Sequence, residues 1–263
     1  MLAYDLSTAQ QFLAAISHWN APDPRVIPEL VYAQHSKIQV TYAPFDHVAP
    51  SAKLVVVGIT PGLSQATTAL TEARKHHLAG VPLPEVLRRA KLTASFSGGA
   101  MRNNLVSMLD AIGVNRLFSL TSTNALFSPG AEHVHFTSAL RYPVFVDGLN
   151  YNGNPDMLRT PILREMVETY LAEEAVLLPN ALWLPLGPKA QSALTHLAGA
   201  GLLDKSRILA GLPHPSGANA ERVAIFLGRK DPRLASAKTN PVPLLAANAA
   251  LRAQIAELNG GRN

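Results

Sequence analysis

Leu54-Val55-Val56-Val57-Gly58-Ile59-Thr60-Pro61-Gly62 is a short apolar run of mostly β-branched residues closed by glycine and proline. A run without polar alternation fits a strand buried on both faces, the situation of a parallel sheet, and Gly58 and Pro61 end it at a tight turn. Beyond it, apolar spacing predicts helices over 65–78 and 85–91. Another is expected over 103–112, with Leu105, Met108, Leu109 and Ile112 on one face and Gly113 as its stop. Residues 117–126 read as a strand with polar residues near its end, and 127–154 as a loop with little regular structure. Thr160 and Pro161 open a helix over 161–174. A strand over 181–186 turns at Gly187-Pro188 into a helix over 189–200. A last strand over 208–212 runs into Pro213-His214-Pro215-Ser216-Gly217, with a helix over 220–227 behind it. Strand, turn and helix recurring in this order predict an α/β fold, a three-layer α/β/α sandwich around a central, mainly parallel sheet.

Around this core, 1–50 are expected as an N-terminal extension packed on a single domain. Phe12, Leu13, Ile16 and Trp19 lie at helical spacing there, and 38–42 alternate like a strand. Residues 230–263 are expected as a C-terminal helical extension, with the helix over 244–258. The chain has 263 residues, 48% of them hydrophobic, enough for a sizeable core. It contains no cysteine, which excludes disulfides, thiolate zinc sites and iron–sulfur clusters. The first 20 residues lack a basic segment followed by an apolar one, and no stretch approaches the roughly 20 apolar residues that span a bilayer. A soluble, cytoplasmic protein with no membrane association is expected. The 23 Lys and Arg against 18 Asp and Glu leave a net charge of +5, which suits a polyanionic partner without requiring one.

Two loops join a buried strand to residues able to meet a ligand: 58–62 and His214-Pro215-Ser216-Gly217-Ala218-Asn219. Parallel strands bring their carboxyl ends together, so loops distant in sequence can share one crevice. Each alone has a plainer reading, a tight turn and a solvated histidine.

Together they resemble the two signatures of the uracil-DNA glycosylase superfamily. Phe96-Ser97-Gly98-Gly99 is similar to that family's Phe-x-Gly element, Thr121-Ser122-Thr123-Asn124 to its strand end bearing a base-reading asparagine, and Leu186-Gly187-Pro188-Lys189-Ala190 to its Leu-Gly-x-x-Ala turn. The matches run in order over about two thirds of the chain, from Lys53 to Gly228. The resemblance implies a uracil-DNA glycosylase-like fold and a monomeric DNA-repair hydrolase. It would flip uracil out of single- or double-stranded DNA and cut its N-glycosidic bond without metal or other cofactor.

The resemblance also implies roles. Phe96 would stack on the base, and the Asn124 amide would accept from uracil N3–H while donating to O4. His214 would donate to the oxygen where charge develops, helped by backbone N–H groups of Ile59 and Thr60. Ser216, Gly217, Ala218, Asn219 and Arg222 would contact the DNA, although helix capping and an exposed arginine would also account for Ser216, Gly217, Asn219 and Arg222. Three departures stand out. Thr60 occupies the position where relatives commonly carry Asp or Asn to orient water, which leaves Thr60 itself or a carboxylate from elsewhere, such as Asp147, for that task. The four cysteines that hold a cluster in two related branches are missing. Ala218 stands where several relatives carry a larger wedge residue. His133-x-His135 could ligate a metal on a strand. The alternatives are a uracil-DNA binding protein of the same fold that does not turn over or that traps its product covalently, and a hydrolase of free nucleosides.

Overall fold

The structure is a computed structural model that describes residues 5–20, 23–95, 99–128 and 132–260. Two short helices, α1 (Ser7–Gln11) and α2 (Leu13–His18), lead to strands β1 (Val31–His35), β2 (Ile38–Thr41) and β3 (Leu54–Gly58). Helices α3 (Leu63–Leu78), α4 (Leu83–Ala94), α5 (Gly99–Ala111) and α6 (Val114–Leu117) follow, then β4 (Val134–Ser138), β5 (Val144–Val146) and β6 (Leu149–Asn150). The chain continues through α7 (Pro161–Met166), α8 (Ala172–Leu177), β7 (Leu182–Pro185), α9 (Pro188–Gly199), α10 (Ala220–Phe226) and α11 (Pro241–Gly260). Among the described residues no helix is long and apolar enough to cross a membrane.

A parallel sheet of order β4-β3-β7 forms the centre; of the strand expected over 208–212 the structure shows only a single bridge, from Trp183 to Ile208. Every residue of β3 is buried. Val55 and Val57 face one core, shared with Ala66, Leu70, Leu87 and Leu194 of α3, α4 and α9. Leu54 and Val56 face a second core, with Leu105 and Met108 of α5, Phe226 of α10 and Ile255 of α11. A strand buried on both faces needs apolar side chains at every position, which is why 54–57 show no alternation. Each such side chain withdrawn from water contributes roughly 1.5–3 kcal/mol.

Four expectations are corrected. Residues 117–126 hold no strand. They contain the end of α6, a turn and a 3-10 helix, Thr123–Phe127, capped by Ser122. The parallel strand lies instead within the expected loop, at Val134–Ser138, paired to β3 from Leu54↔Val134 to Gly58↔Ser138. The N-terminal region does more than pack on the sheet: β1 and β2 join β5 and β6 in a second, antiparallel sheet, with Val40 opposite Val144. The C-terminal helix begins at Pro241, before the expected residue 244. It lies close to the chain leaving the central sheet. A Cβ built on Gly211, whose φ is +114°, would come within 2.7 Å of the Ala247 side chain.

Candidate functional site

Parallel pairing places the carboxyl ends of β3, β4 and β7 side by side, and backbone hydrogen bonds continue beyond the strands. Ala139 N–H donates to the Gly58 carbonyl and Leu140 N–H to that of Ile59, both at 2.9 Å. Leu186 N–H donates to the Val57 carbonyl at 2.8 Å and Gly187 N–H to that of Leu212 at 2.9 Å. The loops so joined surround a cavity of about 900 Å³. It lies where open α/β sheets bind ligands and is large enough for a nucleotide.

Ile59, Thr60, His214, Ser216, Asn219 and Arg222 all line this cavity. His214 is half-buried on the loop after Leu212, and its Cβ lies 3.6 Å from where a Gly187 side chain would begin. Gly187 has φ +88°, so the turn that brings it against His214 suits glycine. The Ser216 N–H donates to His214 Nδ1 at 3.2 Å, which leaves Nε2 to carry the proton of the neutral ring. Burial lowers the His214 pKa from its usual 6.5 and keeps the ring neutral. Asn104 of α5 steadies this loop by donating to the Pro215 carbonyl at 2.9 Å.

Thr60 is held differently from the expectation of a water-positioning hydroxyl. Its Oγ1 donates to the Tyr142 carbonyl at 3.0 Å and accepts the Val144 N–H at 3.2 Å. The side chain therefore braces the β3 loop against the segment entering β5. At the mouth, Asn219 Nδ2 donates to Ser216 Oγ at 3.0 Å and Arg222 Nη1 to Asn219 Oδ1 at 3.2 Å. Gly217 and Ala218 are exposed beside them and do not line the cavity.

Asn124 is not brought to the site. It is exposed in the 3-10 helix and absent from the cavity lining. Its N–H donates to Ser122 Oγ at 3.1 Å, while Asp110 of α5 accepts from Ser122 Oγ and from Thr123 N–H, each at 2.7 Å. The polar cluster 121–124 thus ties a turn to α5. Phe96, with Ser97 and Gly98, lies outside the described residues. Asp147 sits in the β5–β6 turn, 3.2 Å from Lys37, and does not reach the cavity. His133 is exposed beside the Phe118 ring, and His135 is buried with Nε2 3.3 Å from Glu174 Oε2. Among the described residues no group of three or more His, Cys, Asp or Glu could hold a metal ion.

Sequence reasoning missed part of the lining. Ser138 and Arg141 come from β4 and its outgoing loop, and Lys91 from α4. The Lys91 and Arg141 side chains are only 4% and 3% exposed. Lys91 Nζ donates to the His47 carbonyl at 2.7 Å and lies 3.8 Å from Glu174. Burial lowers its pKa to about 8, against the pull of Glu174. Arg141 Nη2 donates to Glu173 at 2.9 Å, to Glu174 at 3.1 Å and to the Tyr170 carbonyl at 3.1 Å. Burial works against its charge, but Glu174, Tyr142 and Asp46 outweigh it and raise the guanidinium pKa. Asp46 accepts from Tyr42 at 2.9 Å and Tyr142 at 2.6 Å, and burial raises its pKa. Lys91 could have been noticed because it falls on the apolar stripe of α4 with Leu87 and Ala94. Arg141 carried no such signal.

The described lining thus holds five cations, Lys91, Arg141, Lys189, Arg222 and Lys238, and no carboxylate. Lys238 and Asn240, with Pro243, Leu244 and Ala247 of α11, close one wall, so the C-terminal region is part of the site. No protein-family model matches the chain, and no solved structure matches it significantly. It is 36% identical over 201 residues to the uncharacterized protein YoxB of Bacillus subtilis (strain 168), covering 75% of this chain and 78% of that protein. Identity of that degree and extent shows that the chain belongs to the YoxB family.

Proposed function

We propose that this protein is a DNA glycosylase of the uracil-excising kind, its two cores and central parallel sheet being the three-layer fold of that superfamily. One observation carries the reading. A neutral His214, with Nδ1 occupied by the Ser216 N–H, lines the same cavity as Ile59 and Thr60, and that cavity carries five cations and no carboxylate among its described residues. Such a surface suits a polyanion, and a base drawn into it would leave its phosphates near Lys189, Arg222 and Lys238 at the mouth. With Nε2 protonated, His214 donates a hydrogen bond to the base oxygen on which negative charge grows. A donor so placed is typically worth about 2.7–4 kcal/mol. The reading implies a monomer acting on DNA in the cytoplasm.

The Thr60 hydroxyl is engaged by backbone groups, and no described carboxylate lines the cavity to activate water. Cleavage must then proceed by departure of the base, with water capturing the cationic sugar afterwards. The same observation favours a second reading, a protein that binds the damaged base without turnover. Incubation with a uracil-containing oligonucleotide followed by denaturing electrophoresis separates the two. Abasic product that His214→Ala reduces roughly 100-fold supports the glycosylase. An intact strand that remains bound supports the second reading, and an intact strand with no binding overturns both.

A further inference from the structure

We infer that Lys91 and Arg141 form an anion subsite at the inner end of the cavity, which holds the departing base as its anion and so selects bases whose ring N–H is acidic. The inference rests on the glycosylase reading and adds its substrate class. The other three cations of the lining are partly or largely exposed, whereas these two are buried, so they mark the deep end. Their counter-charges, Glu173, Glu174 and Asp46, do not line the cavity, whereas the two cations do. Arg141 Nε is buried and has no hydrogen-bond partner among the described residues. Lys and Arg are donors only, so they match an edge rich in acceptors. Gln65, which also lines the cavity, is already engaged: it donates to the Ala94 carbonyl and accepts from Gly62 N–H.

In the reaction the bond from C1′ to the base nitrogen breaks, and its electron pair leaves with the base. The base anion rests against Lys91 and Arg141 and later takes a proton from water. The C1′ cation is captured by a water molecule, which releases its proton to solvent. An anion in contact with the two buried cations gains more than it would in bulk water, where screening is strong, although the carboxylates of Glu173 and Glu174 offset part of that gain. A neutral base gains only hydrogen bonds there.

The test is calorimetric binding of free bases to the full chain at neutral pH. The probes are 5-nitrouracil, whose ring N–H is ionised under those conditions, and thymine, which stays neutral. The expected result is about tenfold or more tighter binding of 5-nitrouracil, narrowed to about threefold or less in Lys91→Met and retained in Lys91→Arg. Circular dichroism of both variants checks the fold, and the wild-type comparison needs neither of them. Equal binding of the two bases, binding of neither, or a preference unchanged in Lys91→Met would overturn the inference. Displacement of 5-nitrouracil by equimolar inorganic phosphate would overturn the assignment to a base. If the preference holds but uracil-DNA is left intact, the subsite stands and the glycosylase reading falls.

Discussion

Thr60 Oγ1 and the Tyr142 carbonyl, 82 positions apart in sequence, lie 3.0 Å from each other and join the loop after β3 to the segment entering β5. The hydroxyl also accepts the Val144 N–H. Thr60→Val keeps the shape and loses both bonds, leaving a backbone donor and acceptor unpaired, so it is expected to destabilise the fold by about 1–3 kcal/mol. Thr60→Ser is expected to cost far less. Urea unfolding midpoints of the two variants check this. Equal midpoints would show that the hydroxyl is free to serve a ligand.

His214 has a lowered pKa because burial disfavours its cation. Between its folded pKa and 6.5 the unfolded chain binds more protons than the folded one, so His214 contributes stability above 6.5 that is lost as pH falls through the folded value. Its neutral form, with Ser216 N–H on Nδ1, is also the form that donates from Nε2. Base release is therefore expected to stay level as pH falls through 6.5 and to decline only at more acid pH. His214→Gln should remove the acid limb. A rate profile that breaks at or above the ordinary histidine value would contradict this.

His135 and His47 behave in the same sense, with burial as the leading cause: their pKa values are lowered to about 4 and about 3. Both depressions place an acid-labile contribution below the unfolded histidine value, of a few kcal/mol at most for each. Thermal midpoints are expected to fall as pH drops from 6.5 toward 4. His135→Gln, which cannot ionise, should flatten part of that slope.

Glu174 is buried against Lys91, His135 and Arg141. The three cationic or cationisable neighbours outweigh the effect of burial and hold its carboxyl well below the usual range. Glu174→Gln would leave two buried cations short of a counter-charge, at a cost of roughly 3–5 kcal/mol. Chemical denaturation measures it. A loss below about 1 kcal/mol would mean that Asp46 and Glu173 suffice for Arg141 and Lys91.

Arg222 and Lys238 are exposed on the rim of the cavity. If they meet phosphates, replacing either by Ala should weaken binding to duplex DNA of any sequence. The salt slope should fall by about 0.9 per lost contact. Titrations at several salt concentrations read the slope directly. Weaker binding at an unchanged slope would assign these residues to packing.

Helices α3, α4, α5, α9 and α10 and the strands β3 and β7 were legible because burial leaves a periodic signature. Residues 103–112 repeat at helical spacing, and 54–57 have no polar position. Strand β4 was hidden because it carries His135 at a buried position, where Glu174 from α8, 39 positions further along the chain, and the Ala49 N–H meet the ring. Conversely, 117–120 looked strand-like, but Leu117 belongs to a helix end that packs on the second core. The polar group 121–124 read as a strand end because its partner, Asp110, is recognisable only once α5 is beside it.

By itself the amino-acid order determined that this is an α/β chain whose loops 58–62 and 213–219 carry the groups most able to meet a ligand. Local propensity and periodicity act over a few residues, and that range suffices for strands, turns and caps. Only the tertiary structure decided that Asn124 stands apart, that Thr60 is a brace, and that Lys91 and Arg141 line the cavity. Those outcomes depend on which distant groups neutralise or bond one another. Long-range pairing in a desolvated interior leaves no period in the sequence.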